Sequence, residues 1–202
     1  MKSILKSYSY IFHPLFVSVY TSLYFFGNKS GFYNSKAILF FISQIFILTV
    51  LIPIAIFYLL KFIKVLNTDI MVNNVKQRRL PLAIQCIYFY FIAFYTFKPI
   101  PDTELKYFFI GALISSLLAL LASLFKQKIS LHMIGITGMC SFIIALSYKL
   151  SNPNVLFICL LIMICGTVAS SRLAMKAHTN SELFWGTVVG IFGQVVTLYF
   201  WL

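Results

Sequence analysis

Only four acidic residues occur in the 202-residue sequence, Asp69, Asp102, Glu104 and Glu182, against sixteen lysines and arginines. So thin a supply excludes mechanisms that gather several carboxylates around a divalent ion, because hard cations need clustered oxygen ligands. Charge of either sign is scarce: 10% of residues are charged, against about 25% in soluble domains. With 61% hydrophobic residues and a mean hydropathy of +0.95, a chain of this length cannot hide its apolar side chains in a soluble core. Cys86, Cys140, Cys159 and Cys165 all fall inside apolar runs, without the short paired spacing of a zinc or redox site, and read as small packing residues. No metal and no cofactor is expected. No small-residue cleavage site follows the first apolar stretch near Ile11, so that stretch reads as a retained helix and not as a signal peptide.

What the chain does have is apolar length. A spanning helix needs about 20 mostly apolar residues, and seven stretches qualify or nearly do, at approximately 9–26, 38–62, 81–98, 107–125, 132–148, 154–170 and 183–202. The breaks carry turn-forming residues, as in Gly27-Asn28-Lys29-Ser30-Gly31, Lys98-Pro99-Ile100-Pro101-Asp102 and Ser151-Asn152-Pro153-Asn154. The first stretch is the weakest, with His13 and Pro14 near its start. The expected fold is all-α, a polytopic transmembrane bundle of six or seven spanning helices forming a single membrane domain over residues 1–202.

If all seven stretches span, the connections after the second, fourth and sixth share one face of the membrane. Those connections hold Lys76 through Pro81, Lys126 through His132 and Ser171 through His178, so two of the three histidines and the densest basic groups converge. A basic excess in a soluble chain would raise nucleic acid as a partner. Between apolar runs it meets anionic headgroups or a phosphorylated substrate instead. Membrane lipids and a lipid phosphate are therefore the expected partners, and nucleic acid is not.

His178 and Glu182 are four residues apart. On a helix starting near His178 they share a face, and the carboxylate can accept from one imidazole nitrogen while the other stays basic, the arrangement of an activated nucleophile. The plainer reading is a carboxylate suiting the dipole at a helix start, beside an interfacial histidine. Ionisable groups at membrane depth are costly, which favours a functional role. His132 opens the fifth stretch after Ser130, a candidate helix cap, and on the same face it supplies an acid for a leaving alkoxide. Lys76, Arg78 and Arg79 precede Pro81, which suits a first helical turn. They read either as a positive-inside cluster or as a grip on phosphate oxygens.

Ser171-Arg172, five residues, His178, three residues, Glu182 resembles the third signature of the type 2 phosphatidic acid phosphatase superfamily, related to the vanadium haloperoxidases, with Glu in place of Asp; Gly186 and Gly190 continue the likeness. Ile129-Ser130-Leu131-His132 matches two of four residues of the second signature, and Arg79-Leu80-Pro81 echoes the first, with Lys76 at a different spacing and Met71 and Val72 where its lysine would fall. The resemblance is specific over approximately 129–190. It implies a metal-independent lipid phosphatase with His178 as nucleophile, Glu182 as its orienter and His132 as general acid. Arg172, Arg79 and Lys76, with Ser130 and Ser171, would hold the phosphate. It also implies a bacterial inner membrane and an outward-facing site. Positive-inside counting puts eleven basic residues on the motif face against five opposite, which by itself favours the cytoplasm. Setting aside Lys76, Arg78, Arg79 and Arg172 as phosphate ligands leaves seven against five.

Two other readings compete. Asn67, Asp69 and Arg78-Arg79-Leu80-Pro81 faintly resemble the first motif of intramembrane prenyltransferases, but no second aspartate-rich motif follows to hold magnesium. A catalytically degenerate relative, kept as a lipid-binding or assembly subunit, is the non-enzymatic alternative.

Overall fold

The computed structural model describes residues 2–64, 75–100, 103–151 and 153–202. Asp69 and Asp102 lie outside the described residues, as do Asn67, Met71, Val72 and the side chain of Lys76. Among the described residues all regular structure is helical: α1 Lys2–Ile11, α2 Pro14–Asn28, α3 Ser35–Phe46, α4 Ile52–Phe62, α5 Arg79–Phe91, α6 Glu104–Leu124, α7 Leu131–Lys149, α8 Val155–Ala174 and α9 Asn180–Leu198.

Proline shapes two of these boundaries. Pro14 opens α2, where its missing N–H costs nothing, and His13 caps that end by accepting from the Leu15 N–H at 3.3 Å. Pro53 offers no N–H to the Thr49 carbonyl, and the turn before it widens into a π turn, Ile47–Leu51, in which Ile52 N–H reaches back to Ile47 O. Helices α3 and α4 thereby form one rod, Ser35–Phe62. A second π turn, Ile92–Thr96, extends α5.

Among the described residues five helices are long and apolar enough to cross a membrane: Ser35–Phe62, Glu104–Leu124, Leu131–Lys149, Val155–Ala174 and Asn180–Leu198. The expectation is six or seven, and five of the expected stretches form such helices. Of the other two stretches, the first is broken at Phe12 and His13, leaving α2 with 15 residues. At 1.5 Å per residue that is roughly 22 Å, short of the roughly 30 Å hydrocarbon core. The second is α5 with its π turn, Arg79–Thr96, which is not among the five.

Helix α7 lies at the centre, packed against α2, α6, α8 and α9. Around it Phe25, Phe97, Phe109, Ile136, Phe142 and Leu146 are fully buried. Outward faces carry Leu39, Phe62, Ile87, Leu156, Met163 and Phe184 in exposed positions, a surface suited to lipid and not to water. Both ends of α7 are polar. At its C-terminal end Glu104 binds Lys29 at 2.5 Å and Lys149 at 3.3 Å, and Lys149 also reaches the Trp201 carbonyl, tying together the ends of α2, α6, α7 and α9. At its N-terminal end are all three histidines.

Candidate functional site: three histidines and two arginines

The last turn of α8 delivers the first group. Lys176 takes a left-handed φ of 53°, and Ala177 N–H returns to the Arg172 carbonyl at 3.1 Å, closing the helix and turning the chain back. His178 follows within that turn, and Thr179 caps α9 through the Glu182 N–H. Thr179 and Glu182 have the spacing of a capping box, but the Glu182 carboxylate is not spent on the cap. Its Oε2 lies 2.6 Å from His178 Nδ1. Lys128 Nζ stands 3.7 Å from the same oxygen and donates to the Ala177 carbonyl at 2.6 Å.

This bond sets the chemistry of His178. A neutral ring donating from Nδ1 to a carboxylate keeps its lone pair on Nε2. Burial lowers the affinity of His178 for a second proton below the ordinary histidine value, and the charges of Lys128, Arg78 and Arg172 add to that, against the opposing Glu182 bond. The ring is a free base at neutral pH.

His132, in the first turn of α7, is held by the other nitrogen. Its Nε2 lies 3.1 Å from the Ser9 carbonyl of α1, which can only accept, so Nε2 carries the hydrogen and Nδ1 remains. The His13 ring meets it edge to face at 5.2 Å between centroids. Burial, then the charge of Arg172, hold the His13 imidazole down at about 4, so it too is neutral at pH 7.

These side chains converge on a cavity of about 130 Å³ lined by His13, Pro14, Leu15, Arg78, Pro81, Leu82, Gln85, Leu131, His132, Arg172 and His178. That is many times the roughly 10–15 Å³ a single water requires. Two guanidinium groups, one of them almost wholly buried, beside neutral imidazoles make a site for an anion with several oxygen acceptors. No group of three or more His, Cys, Asp or Glu suited to a metal ion occurs among the described residues.

Of the residues singled out in the sequence, His178, His132 and Arg172 line the cavity, and Glu182 acts on it through His178. Ser171 is fully buried behind the cavity, its hydroxyl bonded to that of Ser9 at 2.6 Å, which fastens α1 to α8. Ser130 is also fully buried, and it does not line the cavity. The cap expected from its side chain is not formed, and its Oγ has no hydrogen-bond partner among the described residues. Its N–H instead donates to the Glu182 carbonyl at 3.2 Å, joining α7 to α9. Arg79 turns away: its Nη2 donates to the Ser123 and Leu124 carbonyls at 3.0 and 3.4 Å, in the last turn of α6. Lys76 lies outside the described side chains.

Of the basic group before Pro81 it is Arg78, and not the Arg79 of the signature, that reaches the cavity; His13, which was not among the candidates, arrives from the cap of α2. The signal for His13 was a histidine immediately before Pro14, a helix-start pattern inside an apolar stretch. Arg78→Ala is expected to weaken binding of inorganic phosphate by about tenfold or more, the worth of a charged hydrogen bond of roughly 1.5–3 kcal/mol. Arg79→Ala should leave that affinity within about twofold and lower the melting temperature. Calorimetric titration and thermal unfolding in detergent separate the two.

Compared with protein-family models, curated proteins and solved structures, the chain gives no significant match to any of them.

Proposed function

We propose that the protein is a metal-independent phosphatase of membrane lipid phosphates, working through a phosphohistidine in the manner of the type 2 phosphatidic acid phosphatases. The observation that carries this reading is the 2.6 Å His178–Glu182 bond at the edge of a cavity that also holds Arg172, Arg78 and His132. His178 Nε2 attacks phosphorus, and the bond from phosphorus to the lipid oxygen breaks. His132, neutral in the free site and anchored through Nε2, takes up at Nδ1 the proton that the phosphate monoanion brings and passes it to the departing alkoxide. It then takes a proton from the water that attacks the phosphohistidine, and the N–P bond breaks to release phosphate and restore His178. Arg78 and Arg172 hold the non-bridging oxygens as charge gathers on them. Glu182, one methylene longer than the aspartate of the family signature, keeps the His178 tautomer.

In this reading the extended α5, and α2 where the bilayer thins to its length, bring the five long helices to six or seven spans, in a bacterial inner membrane with the histidine end toward the periplasm. Arg78 and Arg172 line the cavity and Arg79 caps α6, which supports discounting them as orientation signals.

The test is phosphate release by detergent-purified protein from a panel of phosphatidic acid, phosphatidylglycerol phosphate, lipid A phosphates and undecaprenyl diphosphate, with EDTA present. Turnover that survives chelation is the expected result. A requirement for magnesium would overturn it in favour of a diphosphate-handling metal enzyme, and silence across the panel in favour of a lipid-binding or assembly role.

A further inference from the structure

A second hollow adjoins the anion cavity. It is an apolar groove of about 170 Å³ running between α2, α4 and α5, with Pro53, Phe57 and Tyr88 along it. Its wall shares His13, Pro14, Leu15, Pro81 and Gln85 with the anion cavity. A lipid phosphate with its headgroup at Arg78 and Arg172 and its hydrocarbon chain in the groove carries its ester oxygen past this shared wall.

Only His13 and Gln85 bring side-chain donors to the wall. His13 is the one whose proton is placed by the fold. Its Nδ1 accepts from the Leu15 N–H, so in the neutral ring the hydrogen is on Nε2. The ring also packs against His132, the group that protonates the leaving oxygen in the phosphatase reading. Gln85 lies a turn further along α5 from Pro81 and lacks that contact with His132.

We propose that His13 is a substrate-contacting residue whose Nε2–H hydrogen-bonds the ester oxygen joining phosphorus to the lipid chain, where the anion cavity opens into the apolar groove. The inference rests on the phosphatase reading. His13 keeps its proton throughout: as the P–O bond breaks, the electron pair goes to the ester oxygen, His132 supplies the proton that converts it to an alcohol, and the His13 bond stabilises the charge in between. A neutral imidazole can act as a donor of this kind.

The experiment compares two esters, the panel lipid that the wild type turns over fastest and p-nitrophenyl phosphate, whose phenolate leaves with little help. His13→Ala is expected to lower kcat on the lipid by roughly tenfold to a hundredfold, somewhat less than the loss of one oxyanion donor, and to change the nitrophenyl ester by no more than about threefold. Two further variants divide donor from cap. His13→Gln carries an N–H at the reach of Nε2 and should recover lipid turnover, whereas His13→Asn, a favoured cap, should recover the melting temperature alone. Equal losses on both esters, or recovery of lipid turnover by Asn and not by Gln, would confine His13 to capping α2 and overturn the inference. A wild-type protein that turns over neither ester sinks the phosphatase reading and the inference together, whereas wild-type turnover with either of those patterns sinks the inference alone.

Discussion

Replacing His178 by alanine is expected to abolish phosphate release in the folded protein, lowering kcat by at least about a thousandfold, as loss of a covalent nucleophile does elsewhere. No other imidazole lining the cavity is paired with a carboxylate. His132 donates from Nε2 to the neutral Ser9 carbonyl and keeps Nδ1 for proton transfer, and His13 has its Nδ1 on the cap of α2 and its hydrogen on Nε2. The packing cost is small by comparison, because His178 lies in the turn before α9, where its ring is held by the bond to Glu182. Wild-type protein incubated with labelled substrate should carry an acid-labile, base-stable phosphoryl group, and the alanine variant none. The pH profile gives an independent check. Attack needs the unprotonated ring, so activity rises with pH as His178 loses its proton. Burial places that step below the ordinary value of 6.5, and the rise is therefore complete before neutrality. A variant that keeps wild-type turnover, or a rising limb centred above 7, would remove His178 from the chemistry.

The long spans were legible because a continuous apolar run admits few alternatives: α6, α7, α8, α9 and the α3–α4 rod each overlap a stretch that hydropathy marks, with ends shifted by up to four residues. Less legible was the first stretch, where hydropathy runs unbroken while the backbone does not. His13 and Pro14 form a helix start there, and a window that averages over 20 residues passes across it. The His178–Glu182 pairing followed from spacing, although α9 begins at Asn180, so the pair meets across a cap and not along a helix face.

The exchange of Arg79 for Arg78 has a different cause. Adjacent residues on a helix point about 100° apart, so a one-residue uncertainty in where α5 begins decides which side chain enters the cavity. Sequence spacing could not fix that phase. The Ser123 and Leu124 carbonyls at the end of α6 fix it, by taking Arg79. Ser130 and Ser171 likewise matched by sequence, yet both are used between helices, one through its backbone to α9 and the other through its hydroxyl to α1. A motif resemblance identifies residue types at spacings, and packing decides which of them face the ligand.

Gly190→Ala is expected to destabilise the protein by about 1–3 kcal/mol, the usual cost of overpacking, and to lower turnover with it. A Cβ at this position would lie 2.5 Å from the Ile134 carbonyl oxygen and 3.0 Å from the Ile134 Cα. Both are backbone atoms of α7, so no side chain can rotate away, and relief requires α7 and α9 to part. Small residues permit such close approach between membrane helices, and here Gly186 and Gly193 continue the same face of α9, against Ser130 and Gly111. Separation would also be felt in the cavity, because α7 carries His132, α9 carries Glu182, and the Ser130–Glu182 backbone bond spans the two. Gly166→Ala is the control, with no neighbouring atom within 4 Å of its Cβ; in mid-helix it should stabilise by about 0.5–1 kcal/mol. Thermal unfolding in detergent is expected to rank Gly166→Ala at or above the wild type and Gly190→Ala well below. If Gly190→Ala melts with the wild type, α7 and α9 do not meet at this glycine, and the placement of Glu182 beside the start of α7 falls with that contact.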